Sequence, residues 1–250
     1  MVLPITIDAN EEAHDRYDGY DTYTVHVGDH RILTVVTNCR GTLAKWLNDV
    51  AKSIKNRSPT TLLVGVSAEH ESLVYDKSGL RDQPYDLLNL CIGSHCLVYQ
   101  IEESDYDRGS KAYQKHLRDF FDNPRVVAVG MNMNSVAQKL DRDHGIKMRN
   151  QLDLKEMAMK RFNKEDCCDL DNIAKNLVGR HIEVVRPVRI HWNRWRINRQ
   201  KVKYTTLDAY LCYLGRVDYP EHEGLRLIYS SHPEQKLLLA FLLAVSTLNL

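Results

Sequence analysis

The sequence predicts an α/β domain built on a mixed sheet flanked by helices. Three features lead there. Residues 22–27 (TYTVHV) and 31–37 (RILTVVT) alternate apolar and polar positions around Gly28-Asp29, the pattern of a β-hairpin. The apolar runs 62–66 and 126–131 read as strands buried on both faces. The order of elements is hairpin, helix and three strands, then helix, strand, helix and further helices. Consecutive strands followed by helix–strand alternation suit a mixed sheet rather than an all-parallel one.

Each element has its own signal. In residues 43–54, Leu43, Trp46, Leu47, Val50, Ala51 and Ile54 recur at helical spacing, and residues 55–60 form a polar loop. Leu87–Ile92 and residues 96–101 pair around Gly93-Ser94, a tight-turn dipeptide. A charged loop covers 106–111. A helix includes 116–121 and stops at Asn123-Pro124, because the residue before proline disfavours the helical region. Val136, Leu140 and the Gly145 stop mark another helix. Helices are expected at Leu154–Phe162 and 170–178, the second closed by Gly179, and a last one from Thr206 to Val217. Residues 1–20, polar and acidic, are expected to be disordered. A domain over 21–218 and a tail over 219–250 complete the division.

Composition narrows the function classes. The chain has 250 residues, 43% of them hydrophobic, enough for a sizeable core. Lys plus Arg number 34 against 33 Asp plus Glu, so net charge does not announce a polyanion binder. Cys39, Cys91, Cys96, Cys167, Cys168 and Cys212 form no C-x-x-C pair and no zinc pattern. They read as reduced, buried thiols of a cytoplasmic or nuclear protein. The start is not a signal peptide. The tail run LLLAFLLAV, continued to Leu250, would reach about 21 Å as a helix, short of the ~30 Å hydrocarbon core. A buried helix is therefore expected there, and no membrane partner.

Three segments carry chemistry. The first is LLVGVSAEH (62–70), with Gly65, Ser67 and Glu69. The second is VVAVGMNMNSVAQKLDRDHGI (126–146), with Gly130, Asn134, Ser135, Lys139 and Leu140. The third is VKYTTLDAYLCY (202–213), with Tyr204 and Asp208. Ahead of it stands RPVRIHWNRWRINRQ, with Arg186-Pro187 and Trp192. Together these resemble the plant Werner-type 3′–5′ exonucleases, relatives of ribonuclease D. The respective family patterns are a V-G-x-D-x-E strand, a D-x-x-K-L helix, a V-x-Y-A-x-x-D-A helix and a K-P-x-x-x-x-x-W loop, the last one residue longer than the spacing from Pro187 to Trp192. The strand pair LLNLCIGSHCLVYQI and Asp153-Leu154 also fit, and the likeness covers residues 22–218.

The resemblance implies a ribonuclease-H-like fold and a hydrolase. It further implies two divalent ions, Mg2+ or Mn2+, clamping the attacking and leaving oxygens of a phosphodiester. Glu69 and Asp208 would be metal ligands and Tyr204 would position the attacking water. The sequence departs from the pattern where it matters. Ser67 stands where an Asp belongs, and Asn134 or Ser135 replaces the Asp of the second motif. Two of the family's four carboxylates are thus missing. Glu71 shares the parity of Ser67 but lies about 13 Å further along the strand, too far to substitute. Asp141 and Asp143 fall a turn or more too late. Plainer roles are open for the same residues. Thr205 and Asp208 fit a capping box, and Asn134 or Ser135 fits an N-cap.

Residues 180–203 hold eight Lys and Arg against Glu183, with Trp192 and Trp195 interleaved. This is the composition of a surface that tracks a phosphate backbone, and also of a solvated face. Arg194, Arg196, Arg199 and Lys201 are its candidate nucleic-acid contacts. The expected function is a 3′–5′ exonuclease-family protein acting on or binding single-stranded nucleic acid, with weakened or absent cleavage. The alternatives are a non-catalytic binding module, a pseudoenzyme, and an interaction subunit that assembles with itself or with active relatives.

Overall fold

A computed structural model describes residues 4–9, 19–55, 61–70, 75–76, 79–80, 84–101, 112–162, 169–172, 175 and 197–217. Its strands are β1 (Ile5–Ala9), β2 (Tyr20–Val27), β3 (His30–Thr37), β4 (Leu62–Glu69), β5 (Tyr75–Asp76), β6 (Gly79–Leu80), β7 (Leu87–Ile92), β8 (His95–Gln100), β9 (Val126–Gly130) and β10 (Gln151–Asp153). The helices are α1 (Arg40–Lys55), α2 (Ala112–Phe121), α3 (Met133–His144), α4 (Leu154–Phe162) and α5 (Arg199–Val217). Eight strands form one mixed sheet in the order β1-β2-β3-β8-β7-β4-β9-β10, while β5 and β6 pair separately.

β4 is inner, antiparallel to β7 and parallel to β9. Both of its faces are covered, which explains its unbroken apolar run. Val64 and Val66 join Leu43, Leu47, Leu117, Phe121 and Leu140, the inward residues of α1, α2 and α3. Leu63 faces the other way, onto Leu207, Ala209 and Tyr210 of α5. The expected hairpin is β2–β3, with Val27 opposite His30, and β3 extends the sheet by pairing parallel to β8.

Gly65 sets how closely the layers approach. A Cβ there would lie 2.1 Å from Ala209 O and 2.6 Å from Tyr213 N. The backbone of α5 therefore rests directly on the backbone of β4. The contact is reinforced by a buried pair, Thr34 Oγ1 and Thr206 Oγ1, 3.2 Å apart. Cys91, Cys96 and Cys212 are buried in the same cluster as free thiols. Burial pushes the Cys96 thiol well up, so it stays protonated. The structural reading of these three cysteines holds.

Three expectations need correction. Residues 5–9 form an edge strand, each residue paired from Ile5↔Val27 to Ala9↔Tyr23, because Ile5 and Ile7 pack against the core. The last helix begins at Arg199, not Thr206, and Asn198 caps it by accepting a hydrogen bond at Oδ1 from Lys201 N (2.9 Å). Thr205 is accordingly mid-helix, its hydroxyl donating to Val202 O (3.2 Å), and it makes no capping box with Asp208. The loops 56–60 and 106–111, the tail 219–250 and most of the helix expected at 170–178 lie outside the described residues. Among the described residues, no helix is long and apolar enough to cross a membrane.

Gly65→Ala should destabilise the protein by about 3 kcal/mol, because the clash is with backbone that cannot step aside. The thermal midpoint should fall by ~6–12 °C. An unchanged midpoint would mean that α5 does not rest on β4 as described.

Candidate functional site

The alternation that sends Leu63 and Gly65 toward α5 sends Ser67 and Glu69 to the same side. Their partners across the ladder, Asn89 and Leu87, share that face, and Leu87 packs with Val202 of α5. α5 runs antiparallel to β4: Ala209 and Tyr213 lie over Gly65, while Val202 lies over Leu87, the partner of Glu69. The half of α5 carrying Tyr204 and Asp208 thus accompanies the end of β4 carrying Ser67 and Glu69. Tyr204 and Asp208 are four apart, one helical turn, on the flank of α5 away from Thr206. All four side chains are half-buried. Lys203 Nζ lies 5.3 Å from the centre of the Tyr204 ring.

Ser67 is held by its neighbour. Asn89 is fully buried and donates from Nδ2 to Ser67 Oγ at 3.0 Å. Asn89 Oδ1 is buried, with no hydrogen-bond partner among the described residues. Asn89 was not among the expected site residues, although one polar residue inside the apolar run LLNLCI signals a buried hydrogen bond.

The second motif is arranged otherwise than expected. Gly130 lets the chain leave β9 hard against β4: a Cβ there would lie 2.5 Å from Val66 O. Asn132 follows in the left-handed region, φ 51°, and α3 starts at Met133. Neither Asn134 nor Ser135 caps this helix. The cap comes from β10, where Asp153 Oδ2 accepts from Met133 N at 2.7 Å. Its other oxygen, Oδ1, accepts from Lys155 N (2.9 Å) at the start of α4, so one carboxylate serves two helix N-termini. Asn134 and Ser135 are exposed, and Asn134 Oδ1 accepts from Gln151 Nε2 at 2.9 Å. Counted back from Lys139-Leu140, the first position of the D-x-x-K-L pattern that the sequence resembles is not Asn134 or Ser135 but Val136. That residue packs on the apolar core of α3's face.

The stand-in carboxylates fare no better. Asp143 is bound by Arg142 through Nε at 2.6 Å and Nη2 at 3.0 Å, which holds its carboxyl below the usual range. Glu71 lies outside the described residues. Among the described residues, no three His, Cys, Asp or Glu side chains gather as a metal site. Of the basic stretch, Arg194 and Arg196, with Trp192 and Trp195, lie outside the described residues. Arg199 and Lys201 occupy the first turn of α5, Arg199 exposed and Lys201 half-buried.

Residues 42–214 match the family model described as 3′–5′ exonuclease. The chain belongs to the 3′–5′ exonuclease domain family. It is 24% identical over 184 residues to the mouse Exonuclease 3′-5′ domain-containing protein 2, across 71% of this chain and 27% of that protein. It is 24% identical over 127 residues to a 3′-5′ exonuclease of Arabidopsis thaliana, across 49% of this chain and 41% of that protein. The chain therefore spans well under half the length of either curated relative. The fold is ribonuclease-H-like: the crystal structure of the Aedes aegypti Nibbler EXO domain superposes with a TM-score of 0.59 at 12% identity, covering 82% of this chain and 93% of that one.

Asp153→Ala removes two caps at once and should cost about 2 kcal/mol, roughly 1 per helix N-terminus, read as a lower denaturant midpoint. Asp153→Asn should recover part of it. Equal midpoints for wild type and Asp153→Ala would exclude the double cap.

Proposed function

We propose that this domain binds single-stranded nucleic acid through its basic surface and cleaves it slowly or not at all. One observation carries this reading: Ser67, where the family strand has its first carboxylate, is a neutral hydroxyl engaged by the buried Asn89. Two ions about 4 Å apart need clustered anions between them. The motif retains Glu69 and Asp208, while Ser67 and the second-motif positions are neutral. These residues do not fit a two-ion centre of Mg2+ or Mn2+. What supports binding is the charge of α5's approach. Arg194, Arg196, Arg199, Lys201 and Lys203 precede Asp208, the first acid of that helix. A phosphate backbone following that surface would displace counterions, giving affinity that falls with salt.

The test uses a labelled single-stranded oligonucleotide. Reversing Arg196, Arg199 and Lys201 together to Glu should weaken binding and flatten the salt slope by about 0.7 per lost contact. Cleavage in Mg2+ or Mn2+ should be at least ~100-fold slower than that of a relative with all four carboxylates. Ser67→Asp combined with Val136→Asp should raise it. Brisk cleavage by the unaltered chain, abolished by Asp208→Ala, would refute the weakened site. Affinity indifferent to the charge reversal would refute the basic surface.

A further inference from the structure

We infer that Ser67, positioned by Asn89, donates its hydroxyl hydrogen to a phosphate oxygen of the bound strand, so that the strand is held without a divalent ion. This rests on the nucleic-acid-binding reading above and names how that site meets its ligand.

Ser67 Oγ already accepts a hydrogen bond from Asn89 Nδ2 at 3.0 Å. Its own hydrogen is therefore turned away from that nitrogen and free to be donated. The pair sits directly across the β4–β7 ladder, so strand register fixes the orientation. Asn89 is fully buried, and its Oδ1 has no hydrogen-bond partner among the described residues. A buried amide kept at the expense of one unsatisfied atom points to a role in aiming its neighbour rather than to stability. Ser67, by contrast, is only half-buried, two residues from the end of β4.

The sign of the interaction changes with the residue. A carboxylate at position 67 repels a phosphate unless a cation lies between them. A hydroxyl donor attracts it directly. With Ser67 in place, the remaining motif acids are Glu69 and Asp208, and Arg199, Lys201 and Lys203 precede Asp208 on α5. Asn89 is a positioning residue in this scheme.

The experiment measures affinity for a single-stranded oligonucleotide with a free 3′ hydroxyl, at constant ionic strength, in EDTA and in Mg2+. The wild-type dissociation constants should agree within about twofold. Ser67→Ala should weaken binding about tenfold in both conditions, the loss of one hydrogen bond to a charged group. Ser67→Thr, which keeps the donor, should bind as the wild type does. Ser67→Asp should bind at least about tenfold more weakly in EDTA and regain affinity in Mg2+. Asn89→Ala should resemble Ser67→Ala, with no further loss in the double variant. Wild-type binding abolished by EDTA, or unaffected by Ser67→Ala, would overturn the inference while leaving the binding reading intact. No binding in either condition would overturn both.

Discussion

The backbone contact at Gly65 is the constraint from which the rest follows. With no side chain on β4 at that point, α5 settles onto the sheet, and its direction is then fixed by Thr206 on Thr34 and Val202 on Leu87. That one approach aligns the half of α5 bearing Tyr204 and Asp208 with the end of β4 bearing Ser67 and Glu69. It also closes the core over Cys91, Cys96 and Cys212. A ligand site between a strand end and a helix flank needs both elements held to within a fraction of an ångström, and backbone-to-backbone contact supplies that rigidity.

On the function proposed above, scaffold and chemistry have separated in this chain. Gly65, Gly130 and the Asp153 double cap maintain the geometry of a ribonuclease-H-like exonuclease domain. The positions where the resembling family carries negative charge are neutral here: Ser67 is tied to Asn89, and Val136, partly buried, packs against the core. Losing anions costs the fold nothing, since like charges at a strand end repel one another. Folding therefore places no demand on those carboxylates, and a family member can lose them while keeping its architecture.

How much of this was legible in the sequence depended on whether the deciding contact was local. The buried runs at 62–66 and 126–131 declared themselves, because strands covered on both faces leave an uninterrupted apolar signature. The hairpin turn at Gly28-Asp29 was equally plain. The start of α5 was hidden because its first turn, Arg199-Gln200-Lys201, is wholly polar and its cap, Asn198, lies inside a basic stretch. The cap of α3 could not be read locally, since the acceptor, Asp153, is 20 residues downstream. β1 was lost in an acidic segment: five residues of modest apolarity become a strand only once β2 offers an edge. In the candidate site, Glu69, Tyr204 and Asp208 were visible through motif spacing. Asn89 stood out as one polar residue in LLNLCI, but its partner Ser67 needed the cross-strand register, which no sequence pattern states.

As proposed above, this domain keeps the exonuclease fold without a two-ion centre. Isothermal titration with Mn2+, beside the Ser67→Asp, Val136→Asp double variant as the reference, tests it most directly. The account predicts at most one weakly held ion for the unaltered chain and two for the variant, the added carboxylates supplying the anionic charge that a second dication needs. Two tightly held ions on the unaltered chain would contradict it.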